Sequence, residues 1–369
     1  MSAVIAQHCG VMPAGWTGVW MFYVISGFVV TASLDARRQP GAGWSGRARF
    51  YARRAARLWP IYLAYVTVGF LYSGLARGAF EWRALSSLVL FYNNLPSAFA
   101  DRTFQLFPVA SLWTVSVELQ FYLVFGLAFL FLPRRVLAAL LVLFLFLAPL
   151  LRLAGSAWLS HAGWSPASAA AAMYRFTPMH FDSFSAGALL ALVGPARLAG
   201  RPARRLLVAG GAVMLAYVAA EAWLNYVHGA TGLRILNHIV NGVLFGAGRE
   251  VWVYSAIAAL AAGVLATALT GQAPWVWLLR QRWLQAVGRV SYGGYVYHAL
   301  CVQWIAVLLA WAMAAMTMTM HPMVLGAARF LLALPLTVAV ARLSWRYVER
   351  PIIAAVNQRL NPPAPRANG

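Results

Sequence analysis

Of the 369 residues in the chain, 62% are hydrophobic and 10% are charged, whereas an ordinary soluble domain carries about 25% charged residues. The formal net charge is +21 at pH 7, and in a soluble protein such an excess would raise the question of nucleic acid. Here the basic residues lie between long apolar stretches, where they report membrane topology. The composition therefore argues against a soluble domain and against a nucleic-acid partner, and it favours one membrane domain.

Apolar stretches recur along nearly the whole chain. A helix needs roughly 20 such residues to cross about 30 Å of hydrocarbon, and reading the stretches against the arginine clusters predicts ten membrane helices. In chain order they cover residues 1–14, 16–34, 58–76, 111–132, 136–153, 180–196, 206–224, 251–270, 290–313 and 325–345. The sequence thus predicts an all-α polytopic membrane protein.

The apolar stretch 85–99 is not counted as a membrane helix. It is short, and Asn93, Asn94 and Pro96 interrupt it, as in a re-entrant or interfacial segment. With ten spans and both termini cytoplasmic, 21 of the 29 arginines fall in the predicted cytoplasmic segments 35–57, 133–135, 197–205, 271–289 and 342–369. This distribution agrees with the enrichment of basic residues in cytoplasmic loops.

The largest predicted cytoplasmic loop, residues 35–57, contains proline, glycine and seven arginines. A cytoplasmic anion could dock on such a loop, because guanidinium groups form charge-assisted hydrogen bonds with phosphates and carboxylates. The seven residues are Arg37, Arg38, Arg47, Arg49, Arg53, Arg54 and Arg57. The alternative is that these arginines only determine the orientation of the membrane helices.

Three ionisable side chains stand out inside predicted membrane helices, where a charge is costly and a functional role is the first hypothesis. They are His8, Glu118 and His298. At a rise of 1.5 Å per residue, His8 and Glu118 lie at similar depths, about 9 and 10 Å from the outer surface. A carboxylate beside an imidazole could fix its tautomer, so that the imidazole takes a proton from a hydroxyl group.

Each of these residues also has a purely structural interpretation. His8 could bond a backbone carbonyl, Glu118 could pair with an arginine or tyrosine of another helix, and His298 could pack near tyrosines. No paired histidine and carboxylate spacing predicts a metal site. Cys9 and Cys301 lie in apolar segments, and we interpret them as small buried hydrophobes without a disulfide.

Five motifs occur in an order that resembles the acyltransferase-3 family of bacterial membrane O-acyltransferases. The family has five patterns in chain order. They are Gly-Val-x-x-Phe-Phe-x-x-Ser-Gly-Phe, an Arg-x-x-Arg before a span, Trp-Ser-Leu-x-x-Glu-x-x-Phe-Tyr, Gly-x-x-Ser-Tyr-x-x-Tyr-x-x-His, and a closing aromatic-x-Glu-x-Pro. The chain carries similar stretches in GVWMFYVISGFVV (18–30), FYARRAARLWPIY (50–62), SLWTVSVELQFY (111–122), VGRVSYGGYVYH (287–298) and SWRYVERPI (344–352). The resemblance runs from His8 to about Pro351.

The resemblance implies roles for particular residues. His8 matches the family's essential first-span histidine and Glu118 its glutamate, so we expect both in catalysis. Arg54 and Arg57 match its cytoplasmic Arg-x-x-Arg, and two guanidiniums one helical turn apart suit a phosphate or pyrophosphate. Supporting or substrate-binding residues are expected at Trp113, Tyr122, Ser291, Tyr292 and His298 from these motifs, and at Asp182, which could contact a sugar hydroxyl. We interpret Glu349 as a helix cap or a surface ion pair.

The implied activity is transfer of an acyl group, expected to be acetyl, from acyl-coenzyme A to a hydroxyl of a carbohydrate or glycolipid. Acyl-coenzyme A would be a co-substrate, with no permanently bound cofactor, and the enzyme would lie in the bacterial inner membrane. Both direct transfer and an acyl-histidine intermediate remain open. The alternative is a transporter or flippase of a lipid-linked sugar, which would also place ionisable residues at mid-membrane.

The expected organisation is an acyltransferase-like membrane domain at 1–350 and a cytoplasmic tail at 351–369, disordered at its proline-rich end. Members of the family usually carry an arginine or lysine about ten residues before the first-span histidine. Only seven residues precede His8, and the first predicted span is correspondingly short. We therefore expect the true translation start to lie upstream, and the alternative is a protein truncated at its N-terminus.

Overall fold

The computed structural model describes residues 1–35, 43–99, 107–236, 238–240, 246, 248–272 and 275–360. The protein is 84% helical, and no strand occurs among the described residues. The fold class is therefore all-α, as the sequence predicts. Arg37 and Arg38, and the predicted disordered end at 361–369, lie outside the described residues.

The α-helices are numbered here in chain order. They are α1 (Ser2–His8), α2 (Thr17–Asp35), α3 (Gly43–Arg77), α4 (Trp82–Val89), α5 (Asn94–Phe99), α6 (Trp113–Phe131), α7 (Arg134–His161), α8 (Pro166–Arg175), α9 (Phe181–Val193), α10 (Pro195–Leu198), α11 (Arg201–Val227), α12 (Arg249–Leu269), α13 (Val276–Leu279), α14 (Arg282–Arg289), α15 (Ser291–Ala315), α16 (Pro322–Ser344) and α17 (Arg350–Leu360). Short 3-10 helices form at Ala110–Leu112, Thr177–His180 and Gly232–Leu236, and a π-helix at Trp345–Glu349.

Eight helical stretches of the described chain are long and apolar enough to cross a membrane. They are Thr17–Asp35, Ala48–Arg77, Ala110–Phe129, Arg134–His161, Arg201–Val227, Arg249–Leu269, Ser291–Ala315 and Pro322–Leu360. Each coincides with one of the ten predicted spans. Large apolar side chains on these helices face outward, and both Leu215 and Trp311 are 70% exposed. This is the surface expected of a protein embedded in lipid.

The other two predicted spans form shorter helices. The stretch 1–14 yields only the seven-residue α1, after which Gly10 adopts a positive φ of 77°. The stretch 180–196 yields the 13-residue α9, which follows the 3-10 helix at Thr177–His180 and ends at Gly194, with φ at 86°. Glycine and proline end these two helices early, so eight of the ten predicted spans form helices of spanning length among the described residues.

The stretch 85–99 is not a continuous helix, in agreement with the sequence-based prediction. It forms the end of α4 and the whole of α5, and Phe91 between them has a φ of 55°. Gln120 of α6 holds the break, because its Nε2 donates to the Phe91 carbonyl oxygen at 2.7 Å and to Asn94 Oδ1 at 2.8 Å. Backbone that is not helical is thus paired inside the protein, as a membrane requires.

Helices α2 and α9 approach each other through small residues. A Cβ atom at Gly27 would overlap the carbonyl oxygen of Phe184, and one at Gly187 would overlap the carbonyl oxygen of Val24. Small residues allow such close backbone contact between membrane helices. The pair packs against α12, and α6 contacts α2 from another side. The close contact between α2 and α9 fixes the position of α2 along the axis of the helix bundle.

The predicted cytoplasmic loop and tail are more helical than expected. Residues from Gly43 onward belong to α3, so Arg53, Arg54 and Arg57 lie on a helix. Residues at the start of the predicted tail form α17, which packs against α3. The division of the chain at residue 350 into a membrane domain and a cytoplasmic tail stays a prediction.

Candidate active site

A cavity of about 210 Å³ lies among α1, α2, α3, α6 and the start of α15, and it is called the carboxylate cavity here. Its polar wall includes Glu118 together with side chains from three other helices. The lining residues are Met1, Val4, Gly18, Val19, Phe22, Ile25, Ser26, Val29, Arg54, Arg57, Leu58, Thr114, Val115, Glu118, Ser291, Tyr292 and Tyr295. Five residues predicted for the site, namely Arg54, Arg57, Glu118, Ser291 and Tyr292, are thus brought together.

Glu118 is buried at the cavity wall and accepts hydrogen bonds from two hydroxyl groups. Ser26 Oγ donates to Glu118 Oε1 at 2.8 Å, and the Tyr122 hydroxyl donates to the same oxygen. The Tyr122 hydroxyl also lies 3.3 Å from Ser26 Oγ. Tyr122 is therefore a supporting residue of this carboxylate, and the helix α6 places both on one face because they are four residues apart.

Arg54 and Arg57 connect the carboxylate cavity to a second cavity. This arginine cavity has a volume of about 450 Å³ and lies between α3, α14, the π-helix and α17. Its lining residues are Ser33, Phe50, Arg53, Arg54, Ala56, Arg57, Arg289, Trp345, Ile353, Val356 and Asn357. Because Arg54 and Arg57 line both cavities, the two cavities adjoin each other at these side chains.

Arg54 is held between aromatic rings and lies near the carboxylate. Its guanidinium carbon is 5.4 Å from the centre of the Tyr122 ring and 5.6 Å from the centre of the Phe50 ring. Both Arg54 and Arg57 are close enough to Glu118 to interact with it electrostatically, although the structure records no ion pair between them. Their charges remain available to a ligand.

The start of α15 supplies the other polar side of the carboxylate cavity. The Tyr292 hydroxyl donates to the Leu58 carbonyl oxygen at 2.9 Å, which ties α15 to α3. The Tyr295 hydroxyl donates to the Ser111 carbonyl oxygen at 3.1 Å and lies 2.6 Å from Thr114 Oγ1. Ser291 lines the cavity at the first position of the helix. Tyr292 and Tyr295 therefore position the helix as well as line the cavity.

The two predicted histidines lie beside each other. The ring centres of His8 and His298 are 5.2 Å apart, and the planes are inclined by 43°. His8 is the last residue of α1 and is exposed, whereas His298 is fully buried in α15. Neither residue lines the carboxylate cavity, although Met1 and Val4 of α1 do.

The predicted pairing of His8 with Glu118 is not present as a hydrogen bond among the described residues. The partners of Glu118 are Ser26 and Tyr122, and the ring next to His8 is that of His298. The depth estimate placed His8 and Glu118 in one plane, but depth does not specify which face of each helix meets the other. Their catalytic roles remain predictions.

Asp182 occupies a buried ion pair. Arg152 of α7 donates to Asp182 Oδ2 at 3.0 Å, and Ser255 Oγ donates to the same oxygen at 2.6 Å. The other carboxylate oxygen accepts the backbone N–H of Ser183 at 2.8 Å. Asp182 is buried and both of its carboxylate oxygens accept hydrogen bonds within the protein, and its contact with a sugar hydroxyl stays a prediction.

Trp113 belongs to a buried aromatic cluster outside both cavities. Its ring centre is 5.0 Å from that of Tyr174 and 6.2 Å from that of His180. Trp20 and Tyr254 stack in the same cluster, with ring centres 4.8 Å apart. Trp113 is therefore placed to support the packing of α6 and not to touch a ligand in the carboxylate cavity.

Glu349 is buried, so its interpretation as a surface ion pair was wrong. It lies in the π-helix and accepts a hydrogen bond from Ser344 Oγ at 3.2 Å. A Cβ atom at Gly293 would lie 3.0 Å from Glu349 Oε1, so the glycine leaves room for the carboxylate beside α15.

Sequence reasoning missed three residues that shape these sites. Arg152 sits inside the predicted span 136–153, and a charge in an apolar run was a usable signal. Ser26 was part of a quoted motif, but nothing local indicated that it would meet Glu118. Arg289 was part of the quoted stretch 287–298, two residues before Ser291, and it lines the arginine cavity. Among the described residues, no group of three or more histidine, cysteine or acidic side chains could hold a metal.

Comparison with known proteins gives a family match over most of the chain. Residues 9–346 match the family described as an acyltransferase domain. The match begins one residue after His8, so it does not itself include that histidine. An uncharacterized protein of Haemophilus influenzae is 31% identical over 118 residues, which cover 29% of this chain and 46% of that protein.

The chain therefore spans about half the length of the curated relative that it matches. No solved structure matches. The family match agrees with the eight spanning-length helices and with the cavity that collects the motif residues. Because the match extends over nearly the whole chain, the protein belongs to the acyltransferase-3 family.

Proposed function

We propose that the protein transfers an acyl group, in the first instance acetyl, from acyl-coenzyme A to a hydroxyl of a carbohydrate or glycoconjugate. The proposed setting is the bacterial inner membrane. The observation that carries the proposal is the pair of cavities that meet at Arg54 and Arg57. One cavity suits a polyanion, and the other suits an uncharged reactive group.

The arginine cavity supports binding of the coenzyme A phosphates. Arg53, Arg54, Arg57 and Arg289 all line it, and guanidinium groups bind phosphates through paired, charge-assisted hydrogen bonds. The arginine distribution predicts that this side of the bundle faces the cytoplasm, where acyl-coenzyme A is found. Phe50 and Trp345 add aromatic surface to the same walls.

The carboxylate cavity supports binding of the thioester end. Its walls are largely apolar, with Val19, Phe22, Ile25 and Leu58 among the lining residues, so they suit the uncharged arm that joins the phosphates to the thioester. Its polar lining residues are Ser26, Arg54, Arg57, Thr114, Glu118, Ser291, Tyr292 and Tyr295. Such a combination is typical of small-molecule sites, in which apolar walls bind and a few polar groups orient.

The proposed chemistry is general-base catalysis by His8. An acceptor hydroxyl loses its proton to His8 while its oxygen attacks the thioester carbonyl, the carbon–sulfur bond breaks, and the proton passes to the leaving thiolate. Alternatively, His8 itself takes the acyl group from sulfur and then gives it to the acceptor. Glu118 supports the site by holding the hydroxyls of Ser26 and Tyr122 and by facing the Arg54 charge.

The donor site is tested by replacing both Arg54 and Arg57 with Gln. Loss of a charge-assisted hydrogen bond costs about 1.5–3 kcal/mol, and about 1.4 kcal/mol is one decade. We therefore expect the KM for acetyl-coenzyme A to rise by at least about tenfold. Hydrolysis of acetyl-coenzyme A by purified protein in lipid nanodiscs, in which water takes the acyl group and the released thiol is measured, gives this KM without a known acceptor.

The matched control replaces Arg204 and Arg205 with Gln. Both are exposed near the start of α11, in a segment that the arginine distribution also places in the cytoplasm. The control removes the same charge from the same predicted side, and its KM should stay close to that of the wild type. Equal increases in both variants would mean that the arginines form only a diffuse basic surface.

The same assay separates an acyltransferase from a transporter. A transporter should release no thiol from acetyl-coenzyme A, so an inactive wild type would contradict the proposal. The candidate acceptors are an exopolysaccharide, a lipopolysaccharide, a lipid-linked intermediate and a small glycoside. Mass spectrometry of surface glycans from cells with and without the gene tests them, since loss of an acyl group from one glycan identifies the acceptor.

A further inference from the structure

The hydrogen bond of His298 determines which of its ring nitrogens carries hydrogen. Nδ1 lies 2.5 Å from the backbone carbonyl oxygen of Tyr295. A carbonyl oxygen can only accept, so Nδ1 must donate. In the neutral ring, Nε2 then holds a lone pair and can only accept.

The Nε2 atom of His298 is buried and has no hydrogen-bond partner among the described residues. The whole side chain is inaccessible, with an exposed fraction of 0%. A buried acceptor without a partner is unfavourable, because no hydrogen bond replaces the ones that it would make with water. The interior therefore presents an acceptor that a nearby donor would stabilise.

The ring of His8 lies beside that of His298 and, unlike His298, is exposed. The two ring centres are 5.2 Å apart, and His8 is exposed while His298 is not. Only His8 is therefore accessible to a substrate. Rotation of the His8 ring about its side-chain bonds could bring one N–H toward His298 Nε2 without moving the backbone.

The backbone of α1 is held firmly enough for such a pairing. Helix α1 packs between α15 and α16. At its end, a Cβ atom at Gly326 of α16 would lie only 2.7 Å from the Cys9 carbonyl oxygen. At its beginning, Met1 contacts Gly294, four residues before His298. Both ends of α1 are thus fixed against the helices that flank the histidine pair.

We propose that His298 is the positioning residue of His8. This inference rests on the proposed function and assigns to His298 the orienting role that the sequence suggested for Glu118. One His8 nitrogen donates its hydrogen to His298 Nε2, so the other nitrogen is left unprotonated and faces the acceptor. An imidazole oriented in this way is ready to take a proton or an acyl group.

The reaction then proceeds with balanced atoms. The hydroxyl proton moves to the free His8 nitrogen as the oxygen–carbon bond forms, and the carbon–sulfur bond of the thioester breaks. The proton on His8 then moves to the coenzyme A sulfur. His298 exchanges no atom with substrate, and its Nε2 only accepts the hydrogen bond that holds His8.

The test measures the reactivity of the His8 nitrogen directly and needs no substrate. Diethyl pyrocarbonate modifies the unprotonated nitrogen of accessible histidines, and peptide mass spectrometry gives the rate at each one. His298→Phe and His298→Leu remove the acceptor with different shapes, while His298→Gln retains an acceptor oxygen. His161 is exposed on α7 and serves as the internal reference.

We expect the His8 rate to fall by about twofold or more in the Phe and Leu variants, because a ring free to take either tautomer presents its lone pair only part of the time. The rate at His161 should not change, and the Gln variant should lie closer to the wild type. Unchanged His8 rates in whichever acceptor-free variant folds would overturn the proposal.

Catalysis supplies the second measurement. The Phe or Leu variant should lower kcat on the order of 10²-fold, the lower end of general-base assistance, with the KM for acetyl-coenzyme A unchanged. A changed KM with an unchanged kcat would contradict a positioning role. If the His8 modification rate responds but the wild type releases no thiol from acetyl-coenzyme A, the histidine pairing stands and the proposed function fails.

Discussion

Two buried carboxylates in this protein have opposite surroundings. Asp182 meets a guanidinium, a hydroxyl and a backbone N–H, and Arg152 also donates to Ser255 Oγ and to the carbonyl oxygens of Val251 and Met179. Glu118 meets only hydroxyl groups, and it opens onto a cavity whose arginines are not paired with it. The first site is complete without a ligand, whereas the second has room and charge for one.

The comparison shows that a buried charge does not by itself identify a functional site. Both acids were singled out from the sequence for lying in or near a span. Unoccupied space and accessible opposite charge distinguish them, and these depend on contacts between distant helices. We therefore expect changes at Glu118 and its surroundings to alter rate, and changes at Asp182 to alter stability.

The largest effect is expected at His8, next to the functional site. His8→Ala should abolish acyl transfer while the protein still inserts normally, because an exposed side chain at a helix end contributes little to stability. Acetyl transfer by the purified variant in nanodiscs measures the loss, with His161→Ala as the reference. Transfer at the wild-type rate would remove His8 from the mechanism.

Glu118→Gln tests the functional side of the comparison itself. The amide oxygen can still accept hydrogen from Ser26 and Tyr122, so the fold should persist, but the negative charge is lost. We expect activity to fall by roughly 10²–10⁴-fold, the range of general acid–base assistance. Activity is normalised to folded protein from size-exclusion chromatography. A fall in protein level with an unchanged specific rate would give Glu118 the structural role of Asp182.

Asp182→Ala tests the structural side. Arg152 would remain buried without its carboxylate, a change that destabilises by about 3–5 kcal/mol. We expect thermal unfolding in detergent at a lower temperature and a normal rate per folded molecule. The double variant Arg152→Met with Asp182→Leu should recover stability, since apolar residues can replace a buried ion pair. A slower rate at unchanged stability would return Asp182 to the substrate site.

The smallest effect on activity is expected for single-cysteine variants that label the two predicted sides of the membrane. With Cys9 and Cys301 replaced by Ala, a single cysteine at Arg204 should react only from the cytoplasm and one at His228 only from outside. Both positions are exposed, so neither should change the acyl-transfer rate. Reversed labelling would place the arginine cavity on the side without acyl-coenzyme A.

Much of the fold followed from local sequence because span length and charge are local properties. The apolar runs predicted all eight spanning-length helices, and Asn93, Asn94 and Pro96 predicted the break in the stretch 85–99. The lengths of α1 and α9 were overestimated because apolar composition alone does not show where glycine and proline end a helix. The signals were present at Gly10 and at Gly194.

Less of the site could be predicted, because its contacts join distant segments. Ser26 and Glu118 are separated by 92 positions, and Arg152 and Asp182 by 30. Motif resemblance correctly brought Arg54, Glu118 and Tyr292 to one cavity. It could not show which partner each side chain chooses, because that depends on the rotation of each helix about its own axis.

The reciprocal glycine contact between α2 and α9 has a consequence for how this enzyme tolerates mutation. Ser26 and Gly27 are neighbours in one motif, yet they are constrained for unrelated reasons. The side chain at position 26 must donate a hydroxyl hydrogen to Glu118. Position 27 must lack a Cβ atom, because the backbone of Phe184 lies too close. Saturation mutagenesis should therefore retain threonine as the best substitute at 26 and accept nothing larger than glycine at 27. Two neighbouring positions would then be constrained differently, the first by the chemistry of its side chain and the second by the space around it.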